Sequence, residues 1–188
     1  MKHPHGNIGM NYMYSIQLCP QKPSQSLRNS LKEFTHTELH FIDVTQYNEK
    51  IKNFGTKAHY SKEIFYKLIA TDVLPQYDRI ICSDVDVVFT GDFSPVFFMF
   101  PNEKFYYAGV GPVENSRMPY YRKDFSTTEM EILEHEIAAG FLLINLKELR
   151  NDHKQEEIIN FYVNNYPRLR LPEQDCIILT CWPYIKYL

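Results

Sequence analysis

The sequence predicts an α/β sandwich with a mainly parallel central sheet flanked by helices, on three observations. Short apolar runs alternate with segments of helical spacing along most of the chain, and such alternation builds layers of strand and helix. The run at residues 79–82 is apolar between charges, as in a strand covered on both faces. A length of 188 residues with 44% hydrophobic content suits one domain with a real core.

Residues 1–12 show no period and read as a loose lead-in to a single domain spanning 1–188. Weak alternation predicts a strand at 14–18. Leu27, Leu31 and Phe34 at helical spacing, after Ser24 as N-cap, predict a helix over 24–34. Residues 39–44 read as a strand. Ser61 opens a helix whose apolar face is Ile64, Phe65, Leu68, Ile69 and Val73, and Pro75 closes it. Strands follow at 79–82, 105–110 and 141–146, with a long polar connection at 111–128 between the last two. Residues 152–166 form a helix with Ile158, Ile159, Phe161 and Tyr162 inward. Pro172 and Glu173 open a short final helix to Cys181.

Composition narrows the function. A net charge of −3 provides no basic field for nucleic acid. Aromatic residues make up 15% of the chain, which suits stacking on sugars or bases and equally suits packing. Cys19, Cys82, Cys176 and Cys181 lack paired metal-site spacing and read as reduced thiols of a cytoplasmic protein. No run of about 18 apolar residues marks a membrane span, and no secretory leader is evident.

The chemistry concentrates at Asp84-Val85-Asp86, where an apolar strand runs into two aspartates and a second apolar run follows. In an extended segment the two carboxylates point to the same side about 7 Å apart. Hard oxygen donors at the carboxyl end of a strand suit Mn²⁺ or Mg²⁺ bridging to substrate phosphates. The same two residues also read as solvated loop aspartates capping a turn.

Residues 61–92, read as Ser-x5-Lys-Leu-x5-Leu-Pro-x2-Asp-Arg-Ile-Ile-x2-Asp-x-Asp-Val-Val, resemble glycosyltransferase family 8. Two further blocks agree in order and spacing: Ala139-Gly-Phe-Leu-Leu-Ile-Asn-Leu146 and Pro172-Glu-Gln-Asp175. The resemblance implies a GT-A fold that retains anomeric configuration while moving a hexose from UDP-galactose or UDP-glucose to a saccharide acceptor. It implies Mn²⁺ or Mg²⁺ held by Asp84 and Asp86, with Val85 and Asp86 near the donor ribose and diphosphate. Lys67 takes a position where a cation faces the diphosphate or donor sugar; without the resemblance it reads as a surface helix lysine. His59 falls near the uracil or diphosphate, and equally suits a polar loop. Ala138 stands where asparagine is usual, and Ala139 and Gly140 let the backbone approach the donor sugar. Glu173 and Gln174 lie beneath the anomeric carbon, as the catalytic pair; by position alone Glu173 is a favourable first-turn acid. Work at the inner face of a membrane is also implied.

Family members begin with a strand bearing an Ala-x-Asp-x-Asn/Asp-Tyr type segment and carry a late His-x-x-Gly-x-x-Lys-Pro-Trp segment. Residues 1–12 hold no Asp, and no histidine lies beyond His153. The expectation is a domain incomplete at both ends, with a weaker metal site. The alternative expectation is a catalytically impaired homologue that binds metal or nucleotide, or that needs a partner.

Overall fold

The structure, a computed structural model, describes residues 13–18, 29, 37–47, 62–111 and 123–188. The chain forms two compact units, Met1–Lys52 and Asn53–Leu188. In the first, β1 (Met13–Leu18) and β2 (Thr37–Ile42) pair in parallel, in register from Met13 with Thr37 to Leu18 with Ile42. Both strands were expected. The helix expected at 24–34 lies outside the described residues except for Asn29, which is helical.

The second unit opens with a 3₁₀ helix at Lys62–Ile69 that passes into an α-helical turn at Ala70–Val73, together called α1. A 3₁₀ run of 8 residues is long for its type. Every residue from Phe65 to Thr71 is buried, so α1 is covered on all sides and not along one apolar face. Then follow β3 (Arg79–Ser83), α2 (Ser94–Phe97), β4 (Tyr107–Gly109), α3 (Thr127–Leu133) and β5 (Phe141–Asn145). The unit closes with α4 (Leu146–Asn151), α5 (Lys154–Asn165), α6 (Pro172–Cys181) and β6 (Ile185–Tyr187). Helices α2, α3 and α4 and strand β6 were not anticipated.

The sheet of this unit runs β3-β5-β4-β6. Strand β5 is antiparallel to both β3 and β4, and β6 is parallel to β4. Three strands thus share one direction and β5 alone is reversed, which makes the sheet mixed where mainly parallel pairing was expected. Leu142, Leu143 and Ile144 of β5 are fully buried, and β4 is buried along its whole length, so the two inner strands are covered on both faces. The 79–82 run, expected to be central, instead borders the sheet among the described residues, half-buried along its length. The Arg79 guanidinium at the head of β3 reaches across to donate to the carbonyls of Met99 and Phe100 at 2.8 and 3.0 Å. The strand's flank is thereby shielded.

One face of the sheet buries Leu143, Ala108 and Phe105 against Ile81, Val96, Phe97, Phe100 and Leu188. The helices pack mainly on one another. The Phe65 and Tyr162 rings meet at 5.3 Å, and the backbone N–H of Thr71 donates to Gln155 Oε1 at 2.9 Å. Cys176 donates its thiol proton to the carbonyl of Ile158. Cys82, Cys176 and Cys181 are free thiols, as expected; Cys19 lies outside the described residues. Burial pushes Cys82 up to about 11 and Cys181 up to about 12, which leaves both protonated and unreactive at neutral pH. Among the described residues no helix is long and apolar enough to cross a membrane.

Leu143 lies at the centre of the sheet with no exposure. We expect Leu143→Ala to lower unfolding free energy by about 3 kcal/mol, through lost transfer energy and a residual cavity, as read from urea denaturation.

Candidate functional site

The reversal of β5 determines what lies at the carboxyl end of β3. Ser83 pairs with Phe141, and the N–H of Asp84 donates to the carbonyl of Gly140 at 2.8 Å. The end of one strand therefore faces the start of the other, and Asp84 and the Ala139-Gly140 turn become neighbours. Beyond Asp84 the chain leaves the strand. The Val87 N–H returns to the Asp84 carbonyl at 3.3 Å, closing a turn with Val85 and Asp86 at its tip. Val85 is 99% exposed and Asp86 is exposed. The extended geometry expected for the two aspartates is thus replaced by a turn, because carboxylates continued along a covered strand would lose their hydration. The apolar run after the motif is a loop, not a strand. Phe89 and Phe93 stack at 4.3 Å, and both rings meet Phe141 edge-on at 5.7 and 6.2 Å. These contacts fasten the loop to the start of β5.

Lys67 joins the parts. Its ammonium lies 2.6 Å from Asp84 Oδ1, donates to the carbonyl of Ala139 at 2.9 Å, and stands 3.8 Å from Glu173 Oε1. The residue is only 7% exposed, which rules out the surface-lysine reading. The 3₁₀ winding of α1 stacks residues three apart, so Lys67 shares an edge with Ile64 and Ala70.

Glu173 is 8% exposed, and its Oε2 has no hydrogen-bond partner among the described residues. Burial pushes its carboxyl above the ordinary value, against the opposing pull of Lys67. Gln174 Oε1 accepts the N–H of Ala139 at 3.2 Å, and Gln174 Nε2 donates to Glu136 Oε2 at 2.9 Å. Asp175, fully buried, accepts the N–H groups of Arg170 and Leu171 at 2.6 and 3.0 Å, which fixes the chain entering α6. Ala138 is exposed and donates its N–H to the carbonyl of Val110 at 2.8 Å. A Cβ at Gly140 would meet Asp84 Oδ2 at 3.5 Å, an ordinary contact, so what glycine keeps open is the space beside that carboxylate.

Lys67, Asp84, Ala139, Gly140, Glu173 and Gln174 therefore form one cluster. Val85 and Asp86 occupy the adjoining turn, Ala138 borders it, and His59 lies outside the described residues. Glu136 was not anticipated: it meets Gln174 only through space, 38 residues away, and no local pattern marks it. Asp84 Oδ2 and the Asp86 carboxylate are hard oxygen donors and fit a hard divalent cation that keeps water or ligand oxygens in its remaining positions. Among the described residues no group of three or more His, Cys, Asp or Glu side chains could hold a metal. Among the described residues, the share offered to such a site is two carboxylates.

The sequence model described as "Glycosyl transferase family 8" matches residues 7–188. Among solved structures, the fold is similar to the galactosyltransferase LgtC in complex with donor and acceptor sugar analogs, at TM-score 0.66 and 16% identity, covering 87% of this chain and 58% of that one. It is also similar to the apo structure of the bifunctional glycosyltransferase WbbM, at TM-score 0.64 and 17% identity, covering 85% of this chain and 30% of that one. A third similarity is to the glycosyltransferase GlyE of Streptococcus pneumoniae TIGR4, at TM-score 0.62 and 16% identity, covering 93% of this chain and 37% of that one. At such identities the likeness concerns the fold, which is of the expected α/β, GT-A-like class. The chain spans less than two thirds of each of these proteins. No curated protein matches it at a significant level.

Removing the Lys67 cation strands the buried Glu173 carboxylate and the Ala139 carbonyl, while the half-buried Asp84 falls back on water. We expect Lys67→Met to cost about 3 kcal/mol of stability in urea denaturation. A carboxyl whose pKa is raised in the folded state favours the native protein only while protonated. Its contribution is lost as pH rises from the ordinary carboxylate range through the raised value. Glu173→Gln cannot ionise, so we expect it to melt a few degrees above wild type at neutral pH, with the difference vanishing in acid.

Proposed function

The chain belongs to glycosyltransferase family 8, and from that premise we propose that it forms the donor site of a retaining hexosyltransferase that takes UDP-galactose or UDP-glucose and passes the sugar to a saccharide acceptor. The observation that carries this reading is the convergence on Lys67 of Asp84, the Ala139 carbonyl and Glu173. A buried cation, one half-buried and one exposed carboxylate, and a buried carboxylate with a spare oxygen are a suitable set for a diphosphate on one side and a sugar on the other.

In this reading Asp84 and Asp86 hold Mn²⁺ or Mg²⁺. When bound, the cation supplies charge neutralisation for the departing nucleoside diphosphate. Val85 and Asp86, at the turn tip, meet the ribose and diphosphate, with His59 near the uracil. Lys67 orients Asp84 and adds positive charge on the diphosphate side. Ala138, Ala139 and Gly140 provide a surface of small residues along which the sugar lies. Glu173 Oε2, desolvated and unpartnered, faces the electron-poor anomeric carbon or takes a sugar hydroxyl as its missing donor. Gln174 acts beside it, and the pair stabilises an oxocarbenium-like centre in either a double displacement or a same-face attack. The covered surroundings of Lys67 and Glu173 strengthen their interactions relative to water.

The two-carboxylate metal set supports a second reading, in which the chain binds nucleotide weakly without turnover or completes its site with a partner. The test is calorimetric titration of UDP into the chain with and without Mn²⁺, beside Asp84→Asn and Asp86→Asn variants. We expect Mn²⁺-dependent binding that falls about tenfold or more in each variant, since each removes one charged ligand. UDP-galactose and UDP-glucose hydrolysis then separates turnover from binding alone. Absence of UDP binding by the folded wild-type chain overturns the donor-site reading.

A further inference from the structure

We propose that Glu136 is a positioning residue that fixes the side-chain amide of Gln174 and, through it, the backbone at Ala139. The inference rests on the reading above that this backbone and Gln174 border a nucleotide-sugar site.

An amide side chain can be turned over by half a revolution with little change in shape, and its hydrogen-bond partners decide which way it sits. Here both partners agree. The Glu136 carboxylate is an acceptor only and takes Gln174 Nε2–H at 2.9 Å, while the Ala139 N–H is a donor only and gives to Gln174 Oε1 at 3.2 Å. Turned over, the amide would set oxygen against carboxylate and N–H against N–H. Glu136 therefore selects the orientation in which the carbonyl oxygen is committed to the backbone, and the second Nε2 hydrogen is what Gln174 retains for a ligand.

Glu136 is itself well placed for this. It follows α3 in a tight turn, its N–H donating to the Leu133 carbonyl at 3.2 Å. The next residue, Ile137, is 1% exposed and anchors the segment in the core. Helix α3 is tied in turn to the chain before α6, through Arg168 Nη2 and Glu129 Oε1 at 2.7 Å. The result is a peptide at Ala139 gripped on both sides: its N–H by Gln174 and its carbonyl by Lys67 at 2.9 Å. Sugar-facing backbone set this way needs no reorganisation when a ligand arrives.

The test compares Glu136→Ala, Glu136→Gln and Gln174→Ala by NMR on ¹⁵N-labelled chain, reading hydrogen exchange at the Ala139 amide and the side-chain amide signals of Gln174. We expect Glu136→Ala and Gln174→Ala each to speed Ala139 exchange about tenfold, as loss of one hydrogen bond allows, with Leu143 protection unchanged. Glu136→Gln should restore slow exchange, because its Oε1 accepts the same N–H. Combining Glu136→Ala with Gln174→Ala should add nothing further. Unchanged Ala139 exchange in Glu136→Ala, or failure of Glu136→Gln to restore it, overturns the proposal. Should Glu136→Ala not fold, Gln174→Ala and Glu136→Gln decide the matter by the same signals. In UDP-sugar hydrolysis Glu136→Ala should lower kcat about tenfold, with KM little changed and kcat recovered in Glu136→Gln. A wild-type chain that binds no UDP yet shows the expected exchange pattern sinks the donor-site reading while sustaining the positioning of Ala139 by Glu136.

Discussion

The buried ammonium of Lys67 is the interaction on which the rest of the site depends. An ammonium is costly to desolvate, and it is tolerated in an interior only where acceptors of matching geometry surround it. Those acceptors come from three separate places: the end of β3, the turn before β5 and the first turn of α6. Each of these elements is therefore held in place by a charge that cannot be satisfied without them. The arrangement depends on the ammonium: without it the Ala139 carbonyl and the buried Glu173 carboxylate lose the cation they face.

The direction of β5 supplies the second constraint. Had β5 run parallel to β3, its small-residue start would lie at the opposite edge of the sheet from Asp84. The reversal brings Gly140 into a backbone hydrogen bond with Asp84 and leaves the fully buried Leu142-Leu143-Ile144 core as the rigid support behind both. The aromatic contacts of Phe89 and Phe93 with Phe141 extend this support to the loop that follows the aspartates. Site geometry is thus referred back to one strand.

Much of this was legible in the sequence, and the failures have physical causes. Strands β1 to β5 and helices α1, α5 and α6 were readable because apolar periodicity reports local covering. The cluster of Lys67, Asp84, Ala139, Gly140, Glu173 and Gln174 was readable only through resemblance, since its members lie far apart in sequence. Pairing direction was not readable: an apolar run looks the same whichever way it points, and the short Ile80-Ile81-Cys82 run does not tell a half-buried strand from one covered on both faces. Two short helices left signs that were passed over. Ser126 and Glu129 form a capping box at the head of α3, and the Asn145 side chain caps α4. Glu136 left no such sign, because its partner is reached only in the folded chain.

The turn at Asp84-Val85-Asp86 has a consequence for how the two carboxylates respond to ionic strength. At 0.1 M salt the screening length is about 10 Å, and it acts on charges that face water. Asp86 sits at a bare tip, so its long-range pull on an approaching cation weakens as electrolyte is added. Asp84 is in contact with an interior ammonium at 2.6 Å, a separation into which no counterion enters, so its orientation survives. For the cation site proposed at this turn, electrolyte would therefore slow capture while leaving Asp84 in place.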